Sequence, residues 1–176
     1  MDHPLWCAFY DSLGAVGVLS CGATANNNLD MDGGRHAYGL QHEFMVSVTA
    51  TNDVDQRTFS GYGLTVVDLG APGEDVFTTS IGGGYGSTSG TSFASPLTAG
   101  VIGLLYSAPC SSLMSLVQSH PAQGALYVRD ALFDGVEQVG NLPGQCVTGG
   151  RVNANNSMQP IWATADCVLR HTTWLW

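Results

Sequence analysis

The sequence predicts an α/β domain, a parallel sheet of short apolar strands closed by a buried helix. Three strand-length runs rich in Val, Leu and Ala lie at 16–21, 45–50 and 64–69, the first apolar enough for a strand covered on both faces. A later stretch, Leu97 to Leu105, carries no charge and follows a Gly-rich run, so it reads as a core helix entered from a loop. With 176 residues and 44% hydrophobic content, the chain is one globular domain or a large piece of one.

Taken in order, residues 1–14 predict a short helix that turns Leu5, Trp6, Ala8, Phe9 and Leu13 toward a core, with Asp11-Ser12-Leu13-Gly14 as a surface turn. Val16 to Cys21 is the first strand. It runs into Gly22-Ala23-Thr24-Ala25-Asn26-Asn27-Asn28, a loop of small residues and asparagines, a composition suited to left-handed turn positions. Residues 29–43 form a polar loop. Asp30 and Asp32 there offer two carboxylates to a calcium ion, but a solvated loop carries the same spacing. Met45 to Ala50 alternates and is β-branched, giving the second strand, and Leu64 to Leu69 the third. Val76 to Ser80 and Tyr85 to Ser89 are the arms of a hairpin around Gly82-Gly83-Gly84, which lacks the Lys and the strand-to-helix setting of a phosphate loop. Helical spacing returns at Ser111 to Ser119 and at Ala122 to Phe133, with Pro121 at the boundary. Residues 158–176 are apolar and aromatic and join no predicted element.

Composition narrows the function. The net charge is −9 and all five basic residues are Arg, so there is no basic stripe for nucleic-acid phosphates. Phe93 to Tyr106 is the most hydrophobic window and is too short and too broken by Ser, Thr and Gly to span a bilayer. Cys7, Cys21, Cys110, Cys146 and Cys167 show no zinc-ligand spacing. Cys110 and Cys146 are the expected disulfide, stapling the end of the uncharged helix to a later loop in an oxidising compartment.

The chemistry gathers at Gly90-Thr91-Ser92-Phe93-Ala94-Ser95-Pro96. A serine entering a helix has two roles open to it. It can cap the helix, as Ser often does. It can also act as a nucleophile, its hydroxyl outward beside the free N–H groups of the first turn. Pro96 removes the donor that the Ser92 carbonyl would otherwise receive four residues on.

Gly90-Thr91-Ser92-x-Ala94-x-Pro96-x-x-Ala99-Gly100 resembles the serine block of the subtilisin-like serine proteases, or subtilases. Leu97 departs from it, because the family usually has His there. Three further blocks follow the family's order: Gly17 through Asn26, the run from Phe59-Ser60-x-Tyr62-Gly63 to Ala71-Pro72-Gly73, and Gly150-x-Val152-Asn153-Ala154. The resemblance implies a subtilisin-like parallel sheet with helices on both faces and the site at the carboxyl ends of the strands. It implies Ser92 as nucleophile, Asn26 as oxyanion-hole donor, and Gly22, Ala23 and Thr24 beside a polypeptide substrate. It implies no cofactor, and a secreted protein.

Subtilases take their triad in the order Asp, His, Ser. The expected Asp and His blocks belong before residue 17, and neither is present; Asp11-Ser12-Leu13-Gly14 is not the Asp block. Of His3, His36, His42, His120 and His171, none is followed by the family's Gly-Thr; His3 and His36 are the two worth testing. The expectation is the C-terminal portion of a subtilase catalytic domain over 1–157, incomplete at its N-terminal side, with 158–176 an unplaced tail. Its partner would be the missing N-terminal part, and alone it would be nearly inactive. A subtilase-fold binding or scaffolding module without catalysis is the competing expectation.

Overall fold

The computed structural model describes residues 4–33, 42–164, 166 and 167. His3, His36 and His171 lie outside them. The elements are α1 (Pro4–Ala15), β1 (Ser20–Ala23), β2 (Met45–Thr51), β3 (Leu69–Pro72), β4 (Val76–Ser80), β5 (Gly84–Thr88), α2 (Thr91–Tyr106), α3 (Ser111–Ser119), α4 (Pro121–Asp134) and α5 (Ala154–Trp162). The strands β1-β2-β3 form a parallel sheet, and β4 and β5 form a separate antiparallel hairpin. This is the α/β class that the apolar runs predict.

Every residue of the middle strand β2 is buried, and its alternation serves two different faces. Val46, Val48 and Ala50 enter the main core with Leu69, Ala94, Ile102, Leu105, Val128 and Leu132, so α2 and α4 share one side of the sheet. Ser47 and Thr49 point to the other side. There Ser47 Oγ donates to the Val66 carbonyl, and Thr49 Oγ1 donates to Gly61 O at 2.6 Å and meets Ser60 Oγ at 2.7 Å. The loop layer that supplies those partners closes over a second cluster of Met31, Val66, Val67, Leu142 and Cys146.

Several elements differ from the sequence expectation. The first strand begins at Ser20, not Val16, because α1 runs on to Ala15 and is closed by Gly17, whose φ of 86° lies in the left-handed region. Asp11 to Gly14 is therefore helix and not a surface turn. Leu5, Trp6 and Phe9 are exposed instead of core-facing. The third strand begins at Leu69. Residues 64–66 form a turn held by Asp32, whose carboxylate accepts from Leu64 N–H at 2.6 Å and Thr65 Oγ1 at 2.9 Å. The boundary expected at 157 falls inside α5.

The expected Cys110–Cys146 bond is replaced by Cys110–Cys167. Cys146 is held in the loop cluster on the far side of the sheet, whereas Cys110 belongs to the helical core. Beside the bond, Asp166 accepts from Ser111 Oγ at 2.7 Å and Ser112 N–H at 2.5 Å, capping α3 across the chain; these bonds hold its carboxyl down at about 2.

Asp68 is half-buried next to Ser47. Burial pushes its carboxyl above the usual range, against the opposing pull of the Ser47 N–H and hydroxyl and of the Arg129 charge. A folded value above the unfolded one means that the associated stability is full below the unfolded pKa of about 3.9 and is lost as pH rises through the folded value. Asp68→Asn keeps the acceptor for Ser47 and removes the charge. Thermal melts should give a higher Tm than the parent at pH 7, with the gap closing below about pH 4; an equal or lower Tm at pH 7 would refute this. Reduction of Cys110–Cys167 should cost about 2–4 kcal/mol in denaturant melts, and peptide mapping should find Cys146 alkylated as a free thiol after unfolding.

Candidate active site

The carboxyl ends of the strands meet the start of α2. Thr51 O, ending β2, accepts from Gly73 N–H at 2.9 Å, and Gly73 O accepts from Gly90 N–H at 2.7 Å. A Cβ at Gly73 would lie 2.8 Å from Ala50 Cβ, 2.9 Å from Gly90 O and 3.0 Å from Ala94 Cβ, so only glycine lets the turn after β3 lie this close to the helix entrance.

Gly90 is the N-cap residue of α2 and Thr91 its first helical residue, which puts Ser92 inside the first turn. The capping role left open by the sequence is therefore not the one Ser92 fills. Asn26 supplies a cap instead. Its Oδ1 accepts from the Thr91 N–H at 3.0 Å, and Thr91 Oγ1 lies 3.0 Å from the same oxygen and 2.6 Å from Thr24 O. Thr91 is buried and Asn26 exposed, so the contact sits at the edge of the core.

With the amide oxygen of Asn26 turned to Thr91, its Nδ2 faces away from that bond. Nδ2 lies 3.6 Å from where a Cβ on Gly90 would stand and has no protein acceptor among the described residues. Ser92 is exposed, and neither its hydroxyl nor its N–H has a hydrogen-bond partner among the described residues. The unpaired N–H is one of the orphan donors at a helix start, where the dipole favours negative charge.

Gly22 and Ala23 end β1, half-buried and exposed respectively. Thr24 is buried below the loop with its Oγ1 unpaired. On another side of Ser92, the hairpin and Phe93 border an open groove of 710 Å³ lined by Thr78, Ser80, Gly86 and Thr88. Asp30 and Asp32 are occupied locally: Asp30 Oδ1 accepts from Asp32 N–H at 3.0 Å, and Asp32 caps the 64–66 turn. Burial, the largest single influence on Asp32, pushes its carboxyl up, but hydrogen bonds from Thr65, Leu64 and Val66 together bring it below the usual range.

Both described histidines lie at the opposite end of the sheet. His42 precedes β2 and pairs through Nε2 with Asp11 at 2.8 Å; β2 spans seven residues, or about 20 Å, between it and the Ser92 end. His120 joins α3 to α4, beside Pro121, which packs against Gly17 ahead of β1. The structure places the two residues singled out in the sequence near one another, Asn26 being bonded to Thr91, the residue before Ser92. Sequence reasoning missed Thr91 as the residue that orients the Asn26 amide, because a buried threonine has no periodic or spacing signal of its own.

Comparisons with known proteins place the chain in a family. A model of the subtilase family (peptidase S8) matches residues 10–139. Proteinase R of Parengyodontium album is 41% identical over 90 residues, 51% of this chain and 22% of that protein. Thermitase of Thermoactinomyces vulgaris is 32% identical over 123 residues, 69% of this chain and 39% of its own length. The self-cleaved protease domain of PatA superimposes with a TM-score of 0.65 at 26% identity, covering 92% of this chain and 56% of that one. The chain therefore spans well under two thirds of the relatives it matches. With the family model matched from α1 through the sheet and the Ser92 helix to α4, the chain belongs to the subtilase family, whose curated members similar to it are serine proteases.

Proposed function

We propose that this chain carries the nucleophile and oxyanion half of a subtilisin-like serine endopeptidase. The observation that supports this most directly is the exposed Ser92 hydroxyl beside an Asn26 amide whose oxygen is already engaged by Thr91. Attack by Ser92 Oγ on a peptide carbonyl forms a C–O single bond in a tetrahedral adduct, moves the carbonyl electrons onto oxygen and gives the hydroxyl proton to a base. Asn26 Nδ2 and the Ser92 N–H then donate to that oxyanion, where charge exists only in the transition state. Collapse of the tetrahedral species reforms the carbonyl as a Ser92 ester, breaks the C–N bond and releases the amine with the proton returned by the base, and water later hydrolyses the ester to a carboxylic acid and free Ser92. Gly22, Ala23 and Thr24 would border the polypeptide substrate, and the chemistry calls on no cofactor.

The hydroxyl proton requires a base, and neither described histidine is within reach of Ser92. The His–Asp pair of the reaction therefore comes from a part of the catalytic domain other than the residues described, in the same polypeptide or a separate one. A secreted setting suits the Cys110–Cys167 bond. A purely binding role for the same fold draws support from the distance of His42 and His120, and labelling separates the two readings.

A fluorophosphonate probe followed by intact mass should add one label to the 176-residue chain over hours to days, at Ser92, with no casein cleavage. Ser92→Ala should abolish labelling, and Asn26→Ala should slow it by about 10²-fold. Labelling within minutes would mean that a base is in reach and would overturn the half-site reading. A label on another serine would overturn the nucleophile assignment, and no label at all would favour the binding module.

A further inference from the structure

Asn26 is fixed at its oxygen by Thr91, but the loop that carries it needs support from its other side. That loop lies against residues 59–62: Gly61 N–H donates to Ala25 O at 2.7 Å, Asn28 N–H to Phe59 O at 2.5 Å, and Tyr62 N–H to Leu29 O at 3.0 Å. The pairing brackets Asn26 and includes Asn28 in the left-handed region, at φ 52°. One side chain ties both halves together. Arg57 Nη1 donates to Asn28 Oδ1 and to Ser60 O, each at 2.6 Å, and Nε donates to Gln145 Oε1 at 2.9 Å. Its guanidinium carbon stands 4.7 Å from the centre of the Tyr62 ring. Asn141 locks the Arg57 backbone from both sides, accepting from its N–H at 2.7 Å and donating to its carbonyl at 2.9 Å.

The choice of partners is unusual for this chain. Arg129 and Arg151 pair with carboxylates, whereas half-buried Arg57 has no carboxylate partner among the described residues and spends its donors on neutral oxygens. A desolvated cation without an anion is costly to keep unless its planar fork orders several groups at once. Here it orders the two strands of the Asn26 loop. Ser60, held by Arg57 at its carbonyl, also accepts at Oγ from Ala50 N–H at 3.1 Å and donates to Ala50 O at 2.9 Å. The rigid strand β2 is thereby connected through Ser60, Arg57 and Asn28 to Asn26, and through Thr91 to Ser92.

We infer that Arg57 is the positioning residue that holds the Asn26 amide at the first turn of α2. This rests on the reading of Asn26 as the oxyanion donor, but the placement it describes can be tested separately. The full chain is labelled with ¹⁵N-asparagine, and the Asn26 side-chain NH₂ pair is assigned by its loss in Asn26→Ala. Arg57→Ala should shift or broaden that pair while most of the fold is retained. Asn28→Gly deletes only the acceptor and accepts the left-handed backbone, so it should give the same local change even if Arg57→Ala fails to fold. Arg129→Ala, at the other end of the sheet, should leave the pair in place.

Ser92 labelling by the fluorophosphonate should slow about tenfold in Arg57→Ala and in Asn28→Gly, the cost of a misplaced donor. Combined with Asn26→Ala, neither variant should slow it further, a non-additivity that general destabilisation would not produce. Unchanged Asn26 signals in both variants, or additive slowing, would overturn the inference. If the signals move but Asn26→Ala alone leaves labelling unchanged, the Arg57 link stands and the catalytic reading of Asn26 fails.

Discussion

The arrangement depends on how the first N–H group of α2 is satisfied. A buried helix start must give its orphan donors to something. In this chain the first donor goes to the side-chain oxygen of a residue 65 positions earlier in sequence. One hydrogen bond therefore ties the end of β1 to the helix that follows β5, and it sets which way the Asn26 amide faces. If Ser92 capped its own helix, its hydroxyl would be engaged in that task and Asn26 would be free to rotate. Delegating the cap leaves the Ser92 hydroxyl and the Asn26 Nδ2 without a partner among the described residues, the condition under which a helix start can receive charge.

Close packing enforces the same geometry. Gly73 brings the end of the sheet within van der Waals contact of Ala94 and Gly90, so the entrance of α2 cannot drift relative to β2 and β3. Ala50 and Ala94 are small because larger side chains would push those elements apart. On the other face of β2, Ser47 and Thr49 place hydroxyls in a layer of loops, and Ser60 and Asp68 answer them. The strand that organises the site is thus apolar on one side and hydrogen-bonded through Ser47 and Thr49 on the other, while the buried hydroxyl of Thr51 at its end has no partner among the described residues.

Much of this was legible in the sequence. Met45 to Ala50, the hairpin arms, the two helical stretches at Ser111 to Ser119 and Ala122 to Phe133, and the helix at Ser92 have local patterns strong enough to survive folding, whereas α5 was not foreseen. The small-residue run ending in Asn26 and the Gly-Thr-Ser entrance pointed, through the family resemblance, to two segments that the fold brings together at the start of α2. What sequence could not give was long-range partnership. Val16 to Leu19 looked like strand because apolarity does not reveal that Gly17 closes a helix, and Val66 and Val67 looked like strand although they serve a loop cluster. Nothing in the spacing of five cysteines distinguishes Cys146 from Cys167. Arg57 and Thr91 act through oxygens tens of residues away, and no local pattern announces that.

The Cys110–Cys167 bond encloses α3, α4, α5 and the segment around Arg151 that bridges to Gly70 of β3. It leaves all five strands and the whole of α2 outside the covalent ring. The molecule consequently has two mechanical regimes: a cross-linked helical lobe, and a sheet whose cohesion is entirely non-covalent. The two regimes meet in one hydrophobic core, where Val46, Val48 and Leu69 of the sheet pack with Leu105, Leu132 and Ile161 of the helices. The redox state of the bond therefore reaches the sheet only through packing, while the hydroxyl-bearing turn also depends on the short hydrogen-bonded path from Gly73 and Asn26.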